Sequence, residues 1–546
     1  MINKIADKAM LIYPKFDTQA TFWSYATSLK MYAPLNKYGI PKRLLPPLGL
    51  MGLFNYLKPY YRSICLVDRN VDPRSLNILL TDVDHVFMGG MLAQEKNMIK
   101  DAMEIKNMDK TLIVGGTAIT PQSDLVSIAN HLVENEVEGV IDELIEGLKN
   151  GKAKHYYKGG LSSSEYFFQP DYSSINLNDY VHMAVQISRG CPENCEFCDI
   201  PSRFGKAYRV TPWKNTERSF RQMKKLGWTG QVFIVDDNFI GNPRKALEVL
   251  KNLYKIGEKI AYHHPKYTEL TLRLADESSI MKELRYWFHK TNFINGFYGV
   301  ETPNEASLLE TKKNQNLRGK KNLVEKLNFI SEQTGGGVMM GMIYGFDHDT
   351  NDSVQEFIDF VNASNAPIVM AGLLNVLPCT PLMERMQREG RYRKSTSGNN
   401  SDGIINFIPY NFSIQQAEKN YLTILQGIYH PKAYFKRVMR HLELIDPELQ
   451  SNQRACDNSI QYLFKILTRK HALIYWRYLP KALIIAKKHC DFITPEYMAI
   501  VKEYFSLCGQ YTHFASQIAA QENNIQTRKY EDWQKNSWKE NIRILK

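Results

Sequence analysis

Along the first 155 residues, short apolar runs alternate with segments whose apolar positions recur every three to four residues. KAMLIY (8–13), SICLV (63–67), HVFMGG (85–90) and TLIVGG (111–116) read as buried strands, each a short apolar run with turn signals nearby. LGLMGLFNYLKPY (48–60) and LAQEKNMIKDAMEI (92–105) have helical spacing, and VEGVIDELIEGLKNG (137–151) is an amphipathic helix with a glycine stop. Strands alternating with helices predict an α/β domain over 1–155 built on a doubly wound parallel sheet. Such sheets bind ligands beyond the carboxyl ends of their strands. Gly89, Gly90, Gly115, Gly116 and Thr117 fall at two of those ends, where absent side chains would let a large planar ligand approach the backbone. Ordinary tight strand–helix turns would use the same glycines.

The tyrosine-rich stretch 156–180 has few periodic signals and reads as a linker. From 181 to 385 the candidate strands are MAVQI (183–187), QVFIV (231–235), LTLRL (270–274), GFYGV (296–300), VMMGMIYG (338–345) and IVMAGLLNVL (368–377). Helical patterns such as SFRQMKKLG (219–227) and DSVQEFIDFVNA (352–363) lie between them. Six β–α units predict a partial (β/α)6 barrel rather than a closed eight-fold one. Residues 386–546 read as a helical domain without clear strands.

With 44% hydrophobic and 12% aromatic residues, the 546-residue chain has the composition of folded globular protein. Its net charge of +12 is unevenly placed, because residues 383–546 hold 25 Lys and Arg against 15 Asp and Glu. That basic third would suit an anionic partner, or form a solvated surface. The amino-terminal apolar run is too short for a signal peptide, and no window approaches 18 uninterrupted apolar residues. Five of the eight cysteines are scattered singly, which suits a reducing cytoplasm rather than a disulfide framework.

The other three crowd into SRGCPENCEFCDIPSRFG (188–205), after the first barrel strand. Cys191, Cys195 and Cys198, spaced C-x3-C-x2-C, are the candidate metal ligands. Three thiolates hold three irons of a [4Fe–4S] cluster and leave the fourth open for a substrate. An open iron can chelate the amino and carboxylate groups of S-adenosylmethionine and start radical chemistry. A structural zinc site would want a fourth Cys or His in this loop, and none is there. Asp236, Asp237 and Asn238 end the second barrel strand, placed to receive a ligand's ammonium or to cap the helix that begins at Pro243.

The cysteine spacing, with Phe197 before the last cysteine, resembles the radical S-adenosylmethionine superfamily. That resemblance implies S-adenosylmethionine contacts at Gly341-Met342-Ile343-Tyr344-Gly345, with Gly341, Ile343 and Gly345 in a G-x-I-x-G strand facing adenine, and at Glu301 in GVETP (299–303). An α/β domain ahead of such a barrel resembles the cobalamin-dependent branch, whose amino-terminal domain is Rossmann-like. PPLGL (46–50), VDRNVDP (67–73) and TLIVGG…P (111–121) resemble its cobalamin-binding domain. FIVDDNFIGN (233–242), YGFDHDT (344–350), LPCTPL (377–382), INFIPYN (405–411) and ILQGIYHPKAYFKR (424–437) resemble the subgroup that includes the hopanoid 2-methylases. Two departures stand out. No D-x-H-x-x-G run supplies a histidine for cobalt, and Cys379 replaces the glycine of LPGTPL-type sequences, with a small buried thiol expected there.

The resemblance implies a C-methyltransferase for an unactivated carbon of a membrane lipid or other secondary metabolite, with a flavodoxin or ferredoxin as electron donor. Cyclisation, oxidation or carbon–carbon coupling without net methyl transfer is the alternative outcome. A nucleic-acid partner is not expected. YLFKILTRKHALIYWRYLPKALIIAKKH (462–489) sets Lys and Arg among Leu, Ile, Tyr and Trp. This pattern suits attachment to an anionic membrane surface at the cytoplasmic face, or a helix covering the barrel with its apolar side.

Overall fold

The computed structural model describes residues 5–16, 36–39, 42–120, 123–393, 396–446, 449, 472–489, 497–498, 500–501, 504–505 and 507–508. The chain forms two compact units, one made of residues 1–192, 200–229 and 397–399, the other of 193–199, 230–396 and 400–546.

In the first unit, β1 (Ala6–Tyr13), β2 (Tyr61–Asp68), β3 (His85–Gly89), β4 (Thr111–Gly115), β5 (His131–Glu134) and β6 (Tyr156–Lys158) form one sheet in the order β2-β1-β3-β4-β5-β6. Every pairing is parallel. Alternate residues of β1 enter different cores, since side chains on a strand point to opposite faces. Met10 and Ile12 pack with residues of the Glu95–Lys106 helix, whereas Ala9 and Leu11 pack with the Leu48–Leu57 and Ile141–Asn150 helices. The sheet is therefore covered on both faces. The Ile141–Asn150 helix stops at Gly151, which is left-handed at φ 68° as a C-terminal glycine should be.

The expected linker 156–180 begins inside this sheet, because Tyr156–Lys158 pairs with β5. Tyr180 further along donates its hydroxyl to Asp68 at 3.0 Å. Three short strands follow in the same unit: β7 (Met183–Val185), then β8 (Ser188–Arg189) and β9 (Arg209–Val210) as an antiparallel pair.

The second unit contains β10 (Val232–Ile234), β11 (Lys266–Leu270), β12 (Phe293–Glu301), β13 (Gly337–Tyr344) and β14 (Ile368–Leu373), lying side by side in sequence order and parallel. Helices Pro243–Ile260, Ser279–Lys290, Leu323–Thr334 and Ser353–Ala363 connect them. This sequential winding is that of a barrel wall, and it places all the strand carboxyl ends on one rim. The strand expected at 270–274 lies earlier, at Lys266–Leu270, and Leu272–Ala275 is a 3-10 turn. Helices Ile414–Tyr429, Pro431–Leu444 and Ala472–His489 cluster with these strands in the second unit.

Candidate active site

Two glycines shape the root of the cysteine loop. Gly190 has φ 91°, and a Cβ there would collide with the carbonyl of Ala207. Gly205, at φ 75°, accepts the amide of Cys191 at 3.2 Å. The β8–β9 pair beneath them is held by Arg209, whose guanidinium donates to Glu136 at 2.5 and 2.8 Å.

The middle of the loop is fastened within the second unit at Glu196. Its amide donates to the Thr311 carbonyl at 2.9 Å, and its carbonyl accepts the Leu382 amide at 3.0 Å. Its carboxylate accepts two bonds from Arg385, at 2.7 and 3.0 Å. Arg385 also donates to Asp347 at 2.5 Å, and Arg391 joins Asp347 to Glu389. A planar guanidinium gripping a carboxylate with two bonds fixes orientation as well as charge, so Cys195 and Phe197 are held on either side of Glu196. The Phe197 ring lies 5.9 Å from that of Phe346.

Cys195 is buried, and Cys191 and Cys198 are half-buried; none is in a disulfide. Gln315 Nε2 donates to Cys195 Sγ at 3.5 Å. Burial pushes the Cys195 thiol up, and the Lys313 ammonium acts against that rise. Lys313 is itself buried and donates to Glu301 at 2.7 Å. Burial alone would lower its ammonium, but Glu301 and the thiols of Cys195 and Cys198 outweigh burial and hold it above its ordinary value. A fixed cation thus stands where thiolate charge will collect.

Glu301 reaches this position through strained backbone. The β12–β13 register shifts between Gly299 and Glu301, and Glu301 adopts φ 70°. Asn316 Nδ2 donates to the carbonyls of Gly299 and Val300 at 3.0 and 2.9 Å, holding the bulge in place. Gly299 leaves the space the ion pair fills, since a Cβ there would lie 2.8 Å from Lys313 Nζ.

Asp236 is buried and Asp237 half-buried, just past β10. The helix after them is capped by Asn242, which accepts the Lys245 amide at 3.1 Å, so that duty does not fall to Asp236, Asp237 or Asn238. Glu269, near the end of β11, has a carboxyl pushed up to about 8 by burial and then by Asp237, with Lys313 opposing. On β13, Gly341 is buried, and a Cβ there would press on the Phe297 ring at 3.0 Å. Ile343 is half-buried. Gly345, at φ 112°, starts a loop that Asp349 closes by accepting the amides of Gly345 and Phe346 at 2.8 and 3.0 Å. Among the described residues, no three His, Cys, Asp or Glu side chains gather around a single ion. Thiolates on a cubane sit on three separate irons instead.

Residues 185–361 match the model of the radical SAM superfamily, and 380–527 match a domain of unknown function, DUF4070. An uncharacterized methyltransferase of Synechocystis sp. is 31% identical over 96% of this chain and 94% of its own length. This chain belongs to the radical S-adenosylmethionine superfamily. The hopanoid C-2 methylase of Rhodopseudomonas palustris is 28% identical over 72% of this chain and 73% of its own. The cobalamin-dependent S-adenosylmethionine radical enzyme OxsB, with aqua-cobalamin bound, shares the fold: TM-score 0.57 at 15% identity, over 98% of this chain and 84% of OxsB.

This radical S-adenosylmethionine enzyme has a donor set that fits a [4Fe–4S] cluster: three thiols on one loop, none in a disulfide, one of them buried against an amide donor and near a cation. Lys313, Gln315 and Glu269 escaped sequence reasoning, because the first two lie outside any motif and the third sits in a strand whose polar residues hide it.

In the first unit, strand order reverses between β1 and β3, and ligands of doubly wound sheets bind at such a switch point. Gly89 and Gly90 lie there, yet a Cβ on them would press on Leu50 and Met98. Gly116 at φ 96° lets the Gly90 backbone approach, so these three glycines each serve the protein's own packing. Gly115 and Thr117 are half-buried, and Gly116 is exposed beyond β4. His85 and His131 begin their strands and His155 directly precedes β6, at the opposite edge. VDRNVDP proves to be a fastening: Asp68 accepts the amide and Nδ2 of Asn70 at 2.8 and 2.7 Å, and Asn70 donates to Pro14 O at 2.9 Å. Cys379 is exposed at φ 62°, not a buried thiol, which explains why glycine suits that position.

Proposed function

We propose that this enzyme is a cobalamin-dependent methyltransferase for an unactivated carbon of a membrane lipid or related metabolite. Cys191, Cys195 and Cys198 would ligate the cluster. When bound, the cluster and S-adenosylmethionine supply the radical that takes hydrogen from the substrate, and cobalamin supplies the methyl group. The observation that carries the reading is the buried Cys195 thiol held by Gln315 and near the Lys313–Glu301 pair, in a chain related over nearly its whole length to a methyltransferase. Lys313 offsets the negative charge of the thiolates and fixes Glu301. Phe197 and the backbone of Gly341, Ile343 and Gly345 line the nucleoside side, while Asp236 and Asp237 receive an ammonium. Gly115, Gly116 and Thr117 would hold cobalamin. Its substrate is small or lipidic, its electron donor a flavodoxin or ferredoxin, and its site of action the cytoplasmic face of a membrane.

The test is anaerobic reconstitution with cobalamin, followed by product analysis with candidate lipids. Methylated product should appear with S-adenosylhomocysteine and 5′-deoxyadenosine in step. Cys195→Ala should abolish both cluster absorbance and 5′-deoxyadenosine, whereas Cys65→Ala should change neither. Product and 5′-deoxyadenosine without S-adenosylhomocysteine would instead mean radical cyclisation, oxidation or coupling.

A further inference from the structure

Residues 462–471 of the basic stretch lie outside the described residues, but Ala472–His489 is a helix. One side of it is core: Tyr475, Tyr478, Ala482, Ile485 and Ala486 are all buried. Phe435, on the Pro431–Leu444 helix, stacks on Tyr478 with centroids 4.9 Å apart and meets Tyr475 edge-on at 5.6 Å. Core packing therefore accounts for that face alone.

The opposite face has a different character. Leu473, Trp476 and Ile484 are 88%, 53% and 60% exposed. At about 100° per residue, Leu473 and Ile484 point within about 20° of each other, with Trp476 about 60° to one side and Lys481 and Lys488 to the other. Single exposed apolar residues are ordinary, but three on one stripe beside cations are not. Where this helix meets Pro431–Leu444 there is a groove of about 420 Å³. Among the described residues, Lys432, Lys436, Arg440, Arg477, Lys481 and Lys488 line it against a single acid, Glu443, with Arg440 also donating to the carbonyls of Asn362 and Ser364, and its apolar lining is Met439, Tyr478, Ile484 and Ile485.

We propose that this groove binds the phosphate headgroup of an anionic membrane lipid, with Leu473, Trp476 and Ile484 entering the adjoining bilayer surface. Six cations facing one acid complement a phosphodiester. The exposed apolar stripe favours a lipid over a nucleic acid or a soluble phosphate, neither of which would reward burying Leu473 or Ile484. Trp476 suits the boundary between headgroups and chains, with an apolar ring and a polar N–H. The stripe lies along the helix as in an interfacial helix, and no helix among the described residues is long and apolar enough to cross a membrane. In its biological purpose the site rests on the lipid reading above, and it brings that substrate's bilayer to the second unit.

The 546-residue chain should co-sediment with phosphatidylcholine vesicles containing phosphatidylglycerol, about tenfold or more better than with pure phosphatidylcholine vesicles, and release with salt. Lys436→Glu/Lys481→Glu should remove most of that preference. Leu473→Ser/Trp476→Ser should weaken binding even in low salt, and both changes lie on exposed side chains, so circular dichroism should be unaltered. Equal binding to both vesicles, or vesicle binding indifferent to both double variants, overturns the proposal. So does complete competition by millimolar inorganic phosphate, which marks a soluble-phosphate site, or by an oligonucleotide, which marks a nucleic-acid site. The assay involves no turnover, so its failure would leave the methyl-transfer reading to be judged by its own products.

Discussion

A lysine buried beside a carboxylate and two thiols is tolerated only because its charge is matched. Lys313 meets this condition through Glu301, and Glu301 meets it at the cost of left-handed backbone. Removing one partner of such a pair leaves an uncompensated buried charge, a loss of about 3–5 kcal/mol. Lys313→Met should therefore destabilise the cluster-free protein by about that much in urea unfolding, and Glu301→Gln/Lys313→Met should cost less than the sum of the single changes. The reconstituted Lys313→Met protein should also retain less iron. An unchanged midpoint for Lys313→Met would mean that the pair contributes nothing to the folded unit. None of this was legible from GVETP alone: the motif marks Glu301, but its partner lies twelve residues on in KKNQN (312–316), where a lysine reads as solvated surface. Cys379 was half-legible. The substitution for glycine was plain, and its meaning was a left-handed backbone rather than a buried thiol.

Among the elements, those with strong apolar runs were readable and those carrying buried polar groups were not. β1, β3, β4, β12 and β13 coincide with their predicted runs to within a few residues. β5 (HLVE) and β6 (YYK) are too short and too polar to declare themselves. β11 hides because its first residue is the buried Lys266, satisfied by the carbonyls of His264 and Thr291 at 2.6 and 3.0 Å, and because Glu269 interrupts its end. That interruption has a pH signature. With its carboxyl at about 8, Glu269 keeps a proton that the unfolded chain gives up near the ordinary carboxyl value. Between roughly pH 5 and 8 the folded state therefore holds more proton at this carboxyl than the unfolded state does, and the contribution of Glu269 to stability falls as pH rises. Asp349, pushed up to about 7 by burial, adds a loss of the same sign over a narrower window. Glu269→Gln should flatten the decline of unfolding free energy across that range in the cluster-free protein. A profile parallel to wild type would show that Glu269 ionises freely.

At the scale of the whole chain, the change from alternating strands to unbroken helices near residue 386 looked like a domain boundary, and the two family matches also part there, at 361 and 380. The structure nevertheless joins them in one unit. β14 is the last strand of its sheet, and an edge strand presents unpaired backbone groups. The helical segment satisfies several of them and their neighbours: Tyr421 donates its hydroxyl to the Ala371 carbonyl at 2.9 Å, Tyr429 to that of Val369 at 2.5 Å, and Arg437 to that of Ala366 at 3.0 Å. Both tyrosines are fully buried, so deleting a hydroxyl leaves a buried carbonyl without its donor, at about 1–3 kcal/mol each. Tyr421→Phe/Tyr429→Phe should lower the stability of this unit by about 2–6 kcal/mol, with little change in iron content, since neither hydroxyl touches the cysteine loop. Hydrogen exchange should quicken together in Ile368–Leu373 and Ile414–Tyr429, as expected of one cooperative body. Faster exchange in the helix alone, with the strand as protected as before, would restore the boundary that the sequence pattern suggests.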